Sequence, residues 1–551
     1  MKYQRILTTF LLFIFLSSCV STGIANTAQP VSPGVNINTP AILPSAIPTS
    51  TPLPTATPRP RIKPGDTLGL IKGMSYASWG EANYAHPLAD RALEDLAKTG
   101  TNWVAIIANT TQENAQSPRI DTLINSDASI VHAIQTAHSL NMNVMLKPQL
   151  DLYTDPEYVR QTIGAHFNSE QWDKWFVAYT EMILHYAQLA EANGVEMFCI
   201  GTELNTAQKQ TAHFRKMAAD VRLVFSGPIT YASSWDAYQL DWWDSVDYIG
   251  VDAYFPLTEA RAPDIDQLIT KWEPIAVDLE ALSKKWNRTL LFTEIGFPAQ
   301  EYAARNPASE ENGALDPQTQ ANAYQAAFDV FRDKPWFGGM FWWMWEDTTF
   351  AGGMCDPHHT PKDKLAENVL RAEYGASPVA LQDTVPLPVF DEAKITTYPI
   401  FTDAYDPRID LGWSWGLSEK TVTEPVFIGK NALEVNFQGW SGFSPHLQNV
   451  DTSPYQWLEF YIFPTEDLTT TLIVDVADEN DQVAYKQTIT RCNYFDDKNR
   501  LLPGQWNRVL IPLEQINADH RLISRILLEY WATNPTTIWI DEMRLVGGEE
   551  Q

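Results

Sequence analysis

The chain has 551 residues, 44% of them hydrophobic and 19% charged, which is too long for a single hydrophobic core and not the composition of a disordered chain. Its formal charge of −29 argues against nucleic acid or an anionic surface as partner, because phosphate contacts need clustered Lys and Arg; a neutral substrate is compatible with it. Aromatic residues are dense, with 20 Trp, 21 Tyr and 24 Phe, which suits core packing and also sugar rings, whose C–H faces stack on aromatic planes.

Residues 1–19 read as a targeting segment. Lys2 and Arg5 give the positive start, Ile6 to Leu16 a short apolar run, and Leu16-Ser-Ser-Cys19 resembles a bacterial lipobox, in which cleavage leaves Cys19 as a lipidated N-terminus. An ordinary secretory signal is the other reading. Either way export is expected, and with lipidation the protein is anchored to a membrane on its extracellular or periplasmic side. The apolar run is too short for a transmembrane helix. Residues 20–66, rich in Pro, Thr, Ser and Ala, cannot pack a core and read as a semi-rigid stalk extending up to ~3.1 Å per residue.

Between residues 67 and 376 short apolar runs alternate with amphipathic stretches. Strands are predicted at Ile71–Tyr76, Trp103–Ala108, Asn143–Pro148, Val195–Gly201, Pro228–Ala232, Val246–Val251, Leu290–Thr293 and Gly339–Trp345. Helices are predicted at His86–Thr99, Ala128–Leu140, Ser169–Ala192, Thr206–Phe225, Ile265–Trp286, Pro317–Arg332 and Lys362–Tyr374. The short, Trp-rich connection between the fifth and sixth strands argues against a full helix there. This count and length match an α/β fold of the (β/α)8, or TIM-barrel, type. A doubly wound open sheet fits worse, since no strand is followed by a Gly-rich phosphate loop.

A linker at 377–388 leads to residues 389–551, where short strands and turns predict an antiparallel β-sandwich. Among them are Ala432–Phe437, Trp457–Phe463, Leu472–Val476, Trp506–Pro512 and Thr537–Val546. Apart from Cys19, the cysteines at 199, 355 and 492 suggest neither a disulfide framework nor a zinc site, with one Cys355–Cys492 bridge left open.

Active residues of such a barrel sit where strands end. Glu203 ends the fourth strand and Glu294 the seventh, so both carboxyls can face one cleft. A retaining glycosidase needs two carboxyls roughly 5–5.5 Å apart, one as nucleophile and one as acid and then base. The bland alternative makes Glu203 a helix cap and Glu294 an ion-pair partner. Lys147 and Asp151 flank the end of the third strand as a sugar-binding pair or a structural salt bridge. Asp252 is a substrate contact or a loop anchor. Trp79, Trp235, Trp343 and Trp345 follow strand ends and are candidates to stack on sugar. Trp343 and Trp345 share a face by strand alternation, and Trp345, nearer the mouth, is expected to floor the subsite beside the cleaved bond. His358-His359 with Asp356 lies in a loop without a second ligand cluster, so a solvated loop is favoured over a metal site.

Gly201-Thr-Glu-Leu204, Phe292-Thr-Glu-Ile-Gly-Phe297 and Phe341-Trp-Trp-Met-Trp345 together resemble clan A glycoside hydrolases, and family 113 in particular. The resemblance spans roughly residues 68–375. It implies Glu203 as acid/base, Glu294 as nucleophile and Tyr254 as a hydrogen-bond partner of the nucleophile. It implies an endo-acting hydrolase of β-1,4-mannan or a related hemicellulose, needing no cofactor and no metal. Many clan A enzymes carry Asn just before the acid/base to hold the substrate 2-hydroxyl, whereas this chain has Thr202, which offers a single hydroxyl and leaves a β-glucan open. Gly412-Trp-Ser-Trp-Gly416 and Gln438-Gly-Trp-Ser-Gly442 make the C-terminal sandwich similar in layout to jelly-roll, galactose-binding-like carbohydrate-binding modules. A monomer acting on a polysaccharide or oligosaccharide is expected. The reading from another class is a surface lipoprotein that binds glycans without cutting them.

Overall fold

The structure, a computed structural model, describes residues 61–550 apart from 67, 121, 154–158, 311, 350, 382–386, 469–470, 482–486, 489–500 and 518–519. The targeting segment, Cys19, nearly all of the stalk and Cys492 lie outside the described residues.

Eight parallel strands close a barrel: β1 (Ile71–Ala77), β2 (Trp103–Gln112), β3 (Asn143–Leu152), β4 (Met197–Thr202), β5 (Ile229–Ser234), β6 (Tyr248–Asp252), β7 (Leu290–Ile295) and β8 (Phe337–Glu346). Each pairs with its sequence neighbours, and β1 closes the ring by pairing with both β2 and β8, Gly73 opposite Trp103 and Ile71 opposite Gly339. A two-residue strand at Thr122–Leu123 adds antiparallel to the end of β2.

Seven helices cover the outside: α1 (Pro87–Ala97), α2 (Asp127–Ser139), α3 (Ser169–Ala192), α4 (Thr211–Val221), α5 (Ile265–Trp286), α6 (Pro317–Phe331) and α7 (Leu365–Tyr374). The chain signals their ends by familiar chemistry. Asn168 with Gln171, and Asp264 with Gln267, form reciprocal capping boxes on α3 and α5. Pro87 and Pro317 begin α1 and α6, where the missing N–H removes nothing. Between β5 and β6 only the 3-10 turn Trp243–Ser245 forms, as the short connection implied.

Strand alternation divides the apolar residues into two layers. One set fills the barrel: Ile71, Trp103, Ala105, Met145, Met197, Cys199, Leu291 and Phe341, with Ile62 and Leu68 packed against it. The other faces the helices, where Trp175 stacks on Tyr179 at 4.6 Å and Trp342 on Tyr324 at 3.6 Å. The interior set is apolar at the N-terminal ends of the strands. It turns polar at their C-terminal ends, where Lys147 and Asp252 continue the inward positions of Met145 and Tyr248.

The C-terminal part is all antiparallel. Its strands are β9 (Phe390–Phe401), β10 (Trp415–Val422), β11 (Ala432–Phe443), β12 (His446–Val450), β13 (Trp457–Pro464), β14 (Leu472–Asp478), β15 (Asn507–Pro512), β16 (Ile523–Tyr530) and β17 (Thr536–Glu550). They run in the order β14-β16-β11-β17-β13-β15, with β9 on β17, β10 on β11 and β12 on β16. Phe437, Phe443, Phe460, Val474, Leu528 and Ile540 belong to a core separate from the barrel's. Cys199 is a buried free thiol, and Cys355 is disulfide-bonded. No helix among the described residues is long and apolar enough to cross a membrane.

Candidate active site

The barrel mouth is built around one buried ammonium group. Lys147, fully buried on β3, bonds Glu294 Oε1 through its Nζ and lies 3.4 Å from Asp252 Oδ1. Burial alone would depress the lysine, but Asp252 and Glu294 outweigh it and hold its pKa above the ordinary value. Thr293 Oγ1 donates to Asp252 Oδ1 at 2.8 Å, and Tyr254 donates to Glu294 Oε2 at 2.8 Å. Glu294's two oxygens therefore hold separate partners. Burial, and then the charge of Glu294, push the Tyr254 phenol far above its usual range, so it stays the donor.

Backbone irregularity aims the carboxylates. Val251 pairs with Phe292 but Asp252 with Glu294, so β7 carries one residue more than β6 at this point. That bulge lets Thr293 meet Asp252 while Glu294 next to it turns into the mouth. A second shift sets Cys199 opposite Thr230 and Thr202 opposite Ala232. Glu203 follows with φ of 53°, a left-handed conformation that costs an L-residue roughly 1–2 kcal/mol, and its N–H is held by Ala232 O at 2.8 Å. Gly201 makes room for this turn: a Cβ there would lie 2.5 Å from the Tyr179 hydroxyl.

Glu203 sits in different company from Glu294. Gln161 Nε2 donates to its Oε2 at 3.0 Å, Ser234 Oγ to its Oε1 at 3.3 Å, and Arg160 Nη1 lies 3.7 Å away. Burial is the largest influence and raises its pKa; the charge of Glu294 raises it further, while Arg160 pulls it down. The raised value wins. Arg160 is shared with Asp151, whose Oδ1 accepts from its Nε at 3.0 Å, and Gln149 donates to Asp151 Oδ2 at 3.2 Å.

Both glutamates line one cavity of about 430 Å³ with Tyr254, Trp235, Trp343 and Arg160. Trp345, Thr202, Lys147, Asp252 and Trp79, expected to contact a sugar, are not on the cavity wall. Trp345, expected as the floor, is buried and donates its Nε1–H to Ala92 O on α1 at 2.9 Å; Trp343 lines the cavity instead. The alternation fails because Met74 pairs with Trp342 and Tyr76 with Trp345, placing an extra residue in β8. Thr202 is buried with its hydroxyl on Pro148 O at 3.3 Å, so it does not offer that hydroxyl to the cavity. Lys147 and Asp252 are wholly buried beneath Glu294 rather than exposed to a sugar, and Lys147 pairs with Glu294 and Asp252 rather than with Asp151. Trp79 stands two residues beyond β1, 40% exposed, and is not part of the cavity wall.

The histidine pair is not a solvated loop. His359 is buried, with Nδ1 2.8 Å from Glu310 Oε1 and Nε2 2.7 Å from Pro307 O, and His358 Nδ1 lies 3.0 Å from Glu310 Oε2. Burial would lower His358, but Glu310 and Asp356 outweigh it and push the pKa up to about 9. The ion pair ties the segment carrying Ala308, on the cavity wall, to the segment after β8. Among the described residues no cluster of His, Cys, Asp and Glu is arranged to hold a metal. Arg160, Gln161, Ser234 and Asn205 are cavity residues that strand reading missed. Ser234, beside Trp235 at the end of β5, carried a positional signal; Arg160 and Gln161, in a loop turn, carried none.

A family model described as Glycoside Hydrolase Family 113 matches residues 74–357, just over half of the chain. Among solved structures, a β-mannanase of that family from Alicyclobacillus acidocaldarius, in complex with ManMIm, is similar over 56% of this chain and 98% of its own, at 29% identity and a TM-score of 0.51. A complex of another family 113 β-1,4-mannanase is similar over 56% of this chain and all of its own, at 25% identity and a TM-score of 0.51. No curated protein matches.

Replacing Lys147 with Met leaves two carboxylates buried without their cation. Denaturant melts should show a loss of about 3–5 kcal/mol, and adding Asp252→Asn should recover part of it. An unchanged midpoint in the single variant would show that Lys147 does not hold the mouth together.

Proposed function

The chain belongs to glycoside hydrolase family 113, and from that premise we propose that it cleaves β-1,4-linked mannan or a related hemicellulose by double displacement, using Glu294 as nucleophile and Glu203 as acid and base. The observation that carries this reading is the pair of glutamates on one cavity, held by unlike surroundings. The mannan assignment is supported by the two solved mannanases similar to the chain.

Glu294, oriented by Lys147 and Tyr254 on separate oxygens, attacks the anomeric carbon as the carboxylate. Glu203, raised by burial and by the charge of Glu294, donates its proton to the departing glycosidic oxygen. Bond formation neutralises Glu294. One of the causes raising Glu203 then disappears while Arg160 remains, so the same group becomes the base that activates water. Trp343 and Trp235 offer ring faces against which a sugar can lie, and acid, base and nucleophile all come from the two glutamates.

Glu294→Ala should reduce the release of reducing ends from mannan by on the order of 10⁴-fold or more, with the fold retained by circular dichroism. Wild-type protein no more active than this variant on mannan, glucan and xylan would end the enzymatic reading, and activity on glucan alone would move the substrate. The pH profile gives a signed test. Arg160 favours ionised Glu203, so Arg160→Met should raise the pKa of the acid and carry the alkaline limb of kcat/KM upward by roughly one pH unit. A limb that stays or moves down contradicts the role of Glu203.

A further inference from the structure

On the C-terminal strands, the segment before β10 lays an indole ring flat on the sheet. His446 of β12 and Arg525 of β16 are direct cross-strand partners, so their side chains rise from the same face. Trp413 rests on both: its ring is stacked on His446, centroids 5.5 Å and planes 17° apart, and the Arg525 guanidinium lies 5.1 Å from the ring centre. The same two residues that support the indole are cross-strand neighbours of each other, so the ring is held from the sheet. Trp413 nevertheless remains 46% exposed.

The platform is braced rather than loose. Asp410 and His446 exchange backbone hydrogen bonds at 3.2 and 2.8 Å, which fixes the loop, and Ser414 Oγ accepts from Ser444 N at 3.0 Å. Arg525 donates to Ser444 Oγ at 3.3 Å and pairs with Asp481. Trp413 then forms one wall of a cavity of about 430 Å³, whose remaining surface is polar and includes Gln448, Asn449, Glu479 and Asp481. Gln448 and Asn449 sit consecutively in left-handed backbone, φ 56° and 60°, and both are exposed.

A half-exposed indole on the wall of a cavity lined by amides and carboxylates matches one ligand chemistry well. The C–H face of a pyranose covers the indole, and its hydroxyls meet groups that both donate and accept, as amides do. The volume falls in the range of small-molecule sites. Two carboxylates on the wall, in a chain of net charge −29, disfavour an anionic sugar. We propose that the cavity at Trp413 is a carbohydrate-binding site for a neutral hexopyranose unit of the polysaccharide that the barrel cleaves. It holds the enzyme on an insoluble chain while the barrel works. The identity of that polysaccharide rests on the function proposed above; the site itself does not.

The test uses the full chain. Glu294→Gln protein, which cannot cut, is mixed with insoluble β-1,4-mannan, with and without Trp413→Ala or the exposed pair Gln448→Ala/Asn449→Ala. Each change should weaken retention roughly tenfold at an unchanged melting temperature. In the otherwise wild-type chain, Trp413→Ala should slow hydrolysis of insoluble mannan by a similar factor and leave that of a short soluble manno-oligosaccharide unchanged. Retention equal to the parent in both variants, with mannan being cut, overturns the site. Retention on mannan that depends on Trp413 in a wild-type chain unable to cut mannan keeps the site and ends the catalytic reading instead.

Discussion

The barrel mouth depends on keeping one ammonium charged where no water reaches it. An isolated buried charge is untenable, so Lys147 requires carboxylates at hydrogen-bonding range, and Asp252 and Glu294 are the groups that supply them. That requirement fixes Glu294 from below, while Tyr254 holds its other oxygen from the cavity side. It also explains the bulge in β7. Without an additional residue there, Thr293 and Glu294 would point to opposite faces, and either Asp252 would lose its hydroxyl partner or the carboxylate would leave the mouth.

Glu203 and Glu294 are the same residue type on the wall of one cavity, and unlike neighbours set them apart. One is joined to a buried cation and a phenol; the other meets an amide, a hydroxyl and a guanidinium shared with Asp151. The coupling between them runs in a useful direction. Whatever removes the charge of Glu294 also lowers the pKa of Glu203. The left-handed backbone at Glu203 is an ordinary way for an active site to hold a side chain where regular strand geometry would not put it.

The barrel was legible because its signals are periodic. Eight apolar runs at β spacing and the helical stripe of Trp172, Trp175, Phe176 and Tyr179 survive any local irregularity. Glu203, Glu294 and Tyr254 were legible because strand ends are positions, and positions can be counted. What failed was facing. Trp343 and not Trp345 lines the cavity because a bulge in β8 breaks the two-residue period, and Thr202 is buried with its hydroxyl on Pro148 O at the similar break in β4. Lys147 was placed on the right strand end but given the wrong neighbour, since its partners come from β6 and β7, more than a hundred residues away. Arg160 and Gln161 were invisible, because a loop turn has no pattern that marks one polar residue above another. His358 and His359 read as solvated for want of a nearby ligand, and Glu310, 49 residues before His359, supplied the missing partner.

The stereochemistry of the first product tests the central claim most directly. Proton NMR can follow the anomeric signals of a β-1,4-manno-oligosaccharide during the first minutes of cleavage, before mutarotation mixes them. A nucleophilic Glu294 with Glu203 as acid and base requires two inversions, so the new reducing end must appear first as the β-anomer. First appearance of the α-anomer would mean a single displacement by water, and would contradict a covalent role for Glu294.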